Sequence, residues 1–178
     1  YIMNTPVETE KASSLAIFGG PQAIRSEQKD LFRWPIITEE DEKAVLESLR
    51  AGNMSNWEIT LEYEKEFAAW QGAKHALTYT NGTAAILAVL FGFNLSAGDE
   101  IIVPSMTYWA SALPALSLGL VPILADIEAD SLCLDPASFE AHITEHTKAV
   151  VVVHTMGHPA DMDRIMAIAN KHGIKVLE

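Results

Sequence analysis

Ala149-Val150-Val151-Val152-Val153-His154 is apolar on both faces and ends abruptly in a polar residue. A strand exposed on one side alternates apolar and polar residues. An unbroken β-branched run of this length predicts a strand buried on both sides, as in a parallel sheet. Working outward, similar short apolar runs recur at Ala76–Thr80, Glu100–Val103, Val121–Ala125 and Ile174–Leu177. Helical stretches fall between them at Thr83–Phe93, Thr107–Leu118, Asp135–Ile143 and Ala160–His172. Strand–helix–strand repetition predicts an α/β fold: a mostly parallel sheet with helices on both faces. Upstream, Thr38-Glu39-Glu40-Asp41 opens a helix that Ala51-Gly52-Asn53 closes. A second helix is expected from Glu58 to Gln71, with Gly72 as its stop and residues 53–57 as the loop between the two. The expected organisation is a polar tail over 1–14, an N-terminal helical segment over 15–74 and the α/β region over 75–178.

The chain has 178 residues, a hydrophobic content of 49% and a net charge of −12. This acidity argues against nucleic acid or an anionic membrane as partner. One cysteine, Cys133, rules out an intramolecular disulfide and makes the reducing cytoplasm the expected compartment. Its apolar neighbours predict packing rather than reactivity. No apolar run is long enough for a membrane span.

In open α/β sheets, ligands collect beyond the C-terminal ends of the strands. Asn81-Gly82-Thr83, Ser105–Trp109 and His154–His158 all fall there. The first of these is a tight turn between an expected strand and an Ala-rich helix. It aims unpaired backbone N–H groups and a helix dipole at one point, where a phosphate or carboxylate is the natural occupant. Gly82 permits close approach and Thr83 offers a hydroxyl, although an ordinary helix cap at Asn81 or Thr83 explains the same residues. Tyr108 could stack on a flat ring while Trp109 packs into protein, and at least one of the two is expected in the core. His154 and His158 are four apart, but Gly157 and Pro159 make the segment a loop, so no metal site is expected. His154 could line a pocket or simply be a hydrogen-bonded strand-end histidine. Asp161 and Asp163 read as helix-capping acceptors. No Gly-x-Gly-x-x-Gly, P-loop or hydrolase motif occurs.

Five segments in order carry a resemblance: Thr80–Ile86, Ala97–Ser105, Met106-Thr107-Tyr108, Pro122–Ile127 and His154–Met162. Together they resemble the DegT/DnrJ/StrS-type sugar aminotransferases, which use pyridoxal phosphate (PLP). The likeness runs from about Pro35 to Glu178 and implies the large domain of fold-type I PLP enzymes, in truncated form. It implies that Gly82 and Thr83, in the turn with Asn81, hold the cofactor phosphate. It also implies that Tyr108 stacks on the pyridine ring and His154 lies near the ring edge. Met156, His158 and the Asn53–Trp57 loop depart from the commoner family pattern.

The implied activity is transfer of an amino group from glutamate or glutamine to a nucleotide-linked keto-sugar or a cyclitol, by a homodimer. The family's pyridine-pairing aspartate and Schiff-base lysine are expected beyond Glu178. The chain therefore reads as the N-terminal part of such an enzyme, inactive by itself. Two alternatives stay open: a PLP-dependent sugar dehydratase of the same family, and a non-catalytic α/β domain that binds a phosphorylated ligand.

Overall fold

The computed structural model describes residues 15–25, 33–52 and 57–178. The 1–14 tail and residues 53–56 of the expected loop lie outside the described residues. The chain divides into two compact units, Tyr1–Asn56 and Trp57–Glu178. In the first, helix α1 (Glu39–Arg50) starts with a complete capping box. The Asp41 carboxylate accepts from the Thr38 N–H, and the Thr38 hydroxyl accepts from the Asp41 N–H. Two otherwise orphaned donors at the helix start are satisfied.

The second unit begins with α2 (Glu58–Gln71), ended by Gly72 in the left-handed conformation at φ 68°. Tyr63, Phe67 and Trp70 stack along it with successive ring centroids 5.7 Å apart, as residues three and four apart on a helix do. Then come α3 (Gly82–Gly92), β1 (Glu100–Pro104), a 3-10 turn (Trp109–Ser111) and α4 (Leu113–Ser117). They are followed by β2 (Val121–Ala125), α5 (Pro136–Ala141), β3 (Thr147–Val151), a second 3-10 turn (Thr155–Gly157), α6 (Met162–His172) and β4 (Lys175–Leu177).

All strand pairs are parallel, in the order β2-β1-β3-β4. Ile102 pairs with Ile123 on one side and Val150 on the other, and Val150 in turn pairs with Val176. Successive side chains of the central strands feed opposite faces. Ile102, Val150 and Val152 pack with Phe139 of α5 and with Ile165 and Ala169 of α6. Ile101, Val103, Ala149 and Val151 pack with Leu90 of α3 and Ala115 of α4. The sheet is thus covered on both faces, as the apolar runs require.

Three expectations need correction. Residues Ala76–Thr80 form no strand. A strand exists only by pairing, and the Thr78 N–H is instead taken by the Glu64 carboxylate at 2.7 Å. The expected helix Thr107–Leu118 is split into the first 3-10 turn and α4, with Pro114 opening the latter. The pair Tyr108 and Trp109 is not core: the residues are 66% and 54% exposed, and their rings lie against each other, centroids 5.1 Å apart. The turn directs the small Ala110 and Ser111 inward, so both large rings stay outside.

Candidate functional site: the start of α3 and the cavity beside it

Four amide N–H groups at a helix start have no partner within the helix. At α3, Asn81 is extended (φ −168°) and its Oδ1 accepts from the Ala84 N–H at 2.9 Å. The Asn81 carbonyl accepts from the Ala85 N–H at 3.1 Å, the first bond of the helix. The N–H groups of Gly82 and Thr83 are engaged by no hydrogen bond among the described residues. A Cβ added at Gly82 would meet nothing within 4 Å. Two free donors, the positive end of an eleven-residue helix and open space above them suit a small anion.

The approach to this turn is held by Glu64 of α2. Its carboxylate accepts from both the Thr78 N–H (2.7 Å) and the Thr78 hydroxyl (2.8 Å). These two donors hold the Glu64 carboxyl below its ordinary value of 4.5. Beside the turn lies an open cavity of about 880 Å³, whose wall includes Tyr63, Phe67, Tyr79, Asn81, Gly82 and Glu178. Its lining is mostly apolar, with a few convergent polar groups.

Of the sequence-predicted site residues, Asn81 and Gly82 stand together on this cavity wall. Thr83 is half-buried one residue further into the helix. Tyr108 precedes the 3-10 turn Trp109–Ser111, which packs against α3. His154 lies off the wall, yet its Nε2 is 2.8 Å from the Glu178 carboxylate that forms part of it. Asp161 caps α6 by accepting from the Arg164 N–H. Cys133 is buried, and its thiol donates to the His158 carbonyl at 3.3 Å.

Glu178 and Glu64 were missed by sequence reasoning. Glu178 had a positional signal, since it follows the C-terminal end of a strand. Glu64 had none: its partner is 14 residues away, and nothing local marks a helix-surface glutamate as a clamp.

Residues 35–178 match the DegT/DnrJ/EryC1/StrS aminotransferase family. The chain belongs to this family. Among curated DegT/DnrJ/EryC1/StrS relatives, the L-glutamine:scyllo-inosose aminotransferase of Streptomyces griseus is 36% identical over 176 residues, which is 93% of this chain and 40% of that protein. The aminotransferase from Psychrobacter cryohalolentis superposes with a TM-score of 0.78 at 36% identity, covering 81% of this chain and 37% of that one. Spr1654 from Streptococcus pneumoniae is described in a PLP form. It superposes with a TM-score of 0.75 at 31% identity, over 80% of this chain and 36% of that one. The chain thus spans well under half the length of the DegT/DnrJ/EryC1/StrS proteins it matches.

Proposed function

We propose that this chain carries the cofactor cradle of a PLP-dependent aminotransferase acting on a keto-sugar, such as a nucleotide-linked one, or on a cyclitol. Glutamate or glutamine is the amino donor. The observation that carries this reading is the start of α3, where the Gly82 and Thr83 N–H groups are free and Asn81 satisfies the next amide. Those donors, with the Thr83 hydroxyl, fit a phosphate monoester, and the mostly apolar cavity beside them suits a flat heteroaromatic ring. Family membership and the named activities of the relatives support the amino-transfer chemistry.

In this assignment Asn81, Gly82 and Thr83 hold the phosphate, Tyr108 covers one face of the ring, and His154 lies near its edge. The bound cofactor would supply an electron sink for moving the amino group. Among the described residues no lysine lines the cavity of Asn81, Gly82 and Glu178, and Lys148, Lys171 and Lys175 are all exposed. We therefore infer that these 178 residues bind the cofactor without transaminating. A homodimer is part of the proposal, as the family resemblance implies, and exposed apolar side chains such as Phe91 and Leu77 are available to such an interface.

The test is titration of the chain with PLP, followed by quenching of tryptophan fluorescence and competed by inorganic phosphate. Saturable, phosphate-competed binding is expected, and its absence overturns the cradle. The chemistry is tested on the chain extended through the family's aspartate and Schiff-base lysine. Glutamate or glutamine should change the spectrum of the bound cofactor, and a keto-sugar or cyclitol should restore it. An extended protein whose spectrum ignores both overturns the aminotransferase assignment.

A further inference from the structure

His154 follows β3, and its two ring nitrogens face different elements. Nδ1 lies 3.0 Å from the backbone nitrogen of Ala160, which can only donate. Nδ1 must therefore present its lone pair, and the single ring proton sits on Nε2. Nε2 in turn points at the Glu178 carboxylate at 2.8 Å. No ring donor or acceptor is left over for a ligand. The register explains why these groups meet: Val151 pairs with Leu177, and the Val152 N–H continues to the Leu177 carbonyl at 2.8 Å.

The segment between His154 and Ala160 is pinned at several points. The Gly157 N–H bonds the His154 carbonyl and the His158 N–H bonds that of Thr155. The Thr155 hydroxyl donates to the Leu132 carbonyl at 2.9 Å. Met156 sits inside this segment at φ 54°, a conformation that non-glycine residues rarely adopt. The imidazole closes the segment onto β4, between the residue before the Asp161 cap and the cavity wall at Glu178.

We infer that His154 is a positioning residue, locked as the Nε2–H tautomer between Ala160 and Glu178, and that it sets the cavity wall without itself touching the cofactor. The inference rests on the reading of that cavity as a PLP site and changes the role of one residue in it.

Long-range proton–nitrogen spectra of the ligand-free chain, labelled with nitrogen-15, read the tautomer directly and need no variant. A protonated Nε2 with a bare Nδ1 is expected at neutral pH, and an Nδ1–H ring overturns the inference. PLP affinity supplies the second readout. Glu178→Ala and His154→Ala should each weaken binding about threefold to tenfold, the worth of one hydrogen bond, and the double variant no further. Glu178→Gln keeps an acceptor for Nε2–H and should restore wild-type affinity. Additive losses, or a Glu178→Gln protein as weak as Glu178→Ala, overturn the positioning role. A wild-type chain that does not bind PLP overturns the cradle instead, and the tautomer spectrum still decides this inference.

Discussion

Asn81 does two jobs that a single substitution can separate. Its Oδ1 caps α3, and in the proposed function its position beside the free Gly82 and Thr83 donors makes it part of the phosphate site. Asn81→Ala removes the cap and should cost about 1 kcal/mol in urea unfolding. Asn81→Asp keeps an acceptor of equal reach, so stability should hold, but it sets a negative charge against the incoming phosphate. PLP affinity should then fall tenfold or more in the titration, the opposite pattern to a plain loss of capping. An Asn81→Asp protein that binds PLP as well as wild type rejects the anion site. At Gly119 the argument is steric. Its φ is +72° and an added Cβ would lie 3.1 Å from the Ala97 Cβ. Gly119→Ala should cost about 1–2 kcal/mol by the same measurement. Caps such as Asn81 and Asp161 were legible in the sequence because a cap and its helix start are neighbours. The His154–Glu178 contact was not, since its partners are 24 residues apart and only the β3–β4 register brings them together.

Among the elements, helices were read more faithfully than the connections between them. The span Glu58–Gln71 matches its expectation because Gly72 is a local stop signal, and Val121–Ala125 matches because an apolar run bounded by Gly119 and Asp126 leaves little choice. Ala76–Thr80 has the composition of a strand, but composition does not supply a pairing partner, and the Glu64 clamp takes the Thr78 amide. That clamp predicts a pH effect. The Thr78 donors depress the Glu64 carboxyl below 4.5 in the folded chain, so folding favours its ionised form. Such a group contributes stability above its unfolded value, and that contribution is lost as pH falls through the folded value. Glu64→Gln should therefore lower urea stability at neutral pH and flatten the acid limb of the stability profile. The gap between variant and wild type should close only as pH falls through the depressed folded value, below the ordinary carboxylate range. A gap independent of pH would show that Thr78 does not hold the ionised carboxylate.

At the scale of the whole molecule, the sheet divides one core into two. Alternate residues of β1 and β3 feed separate clusters: Ile102 and Val150 pack with Phe139 and Ile165, while Ile101 and Val151 pack with Leu90 and Leu120. This follows from the two-residue period of a strand, and it was implicit in the Val150–Val153 run with which the fold was read. It has an energetic consequence. Substitutions that share no partner add, whereas those that share one couple. Ile165→Val trims α6 on one face and Ile101→Val trims β1 on the other, and each should cost about 0.5–1.5 kcal/mol. Their double variant should lose the sum to within about 0.5 kcal/mol in urea unfolding. Ile165→Val with Ile102→Val lies within a single cluster, where the two cavities can collapse together, so that pair should depart from the sum. A cross-face pair that departs from the sum would mean that the sheet does not insulate its two faces. The α3 start would then be coupled to the α6 side of the core, and substitutions behind Phe139 should move PLP affinity as much as those behind Leu90.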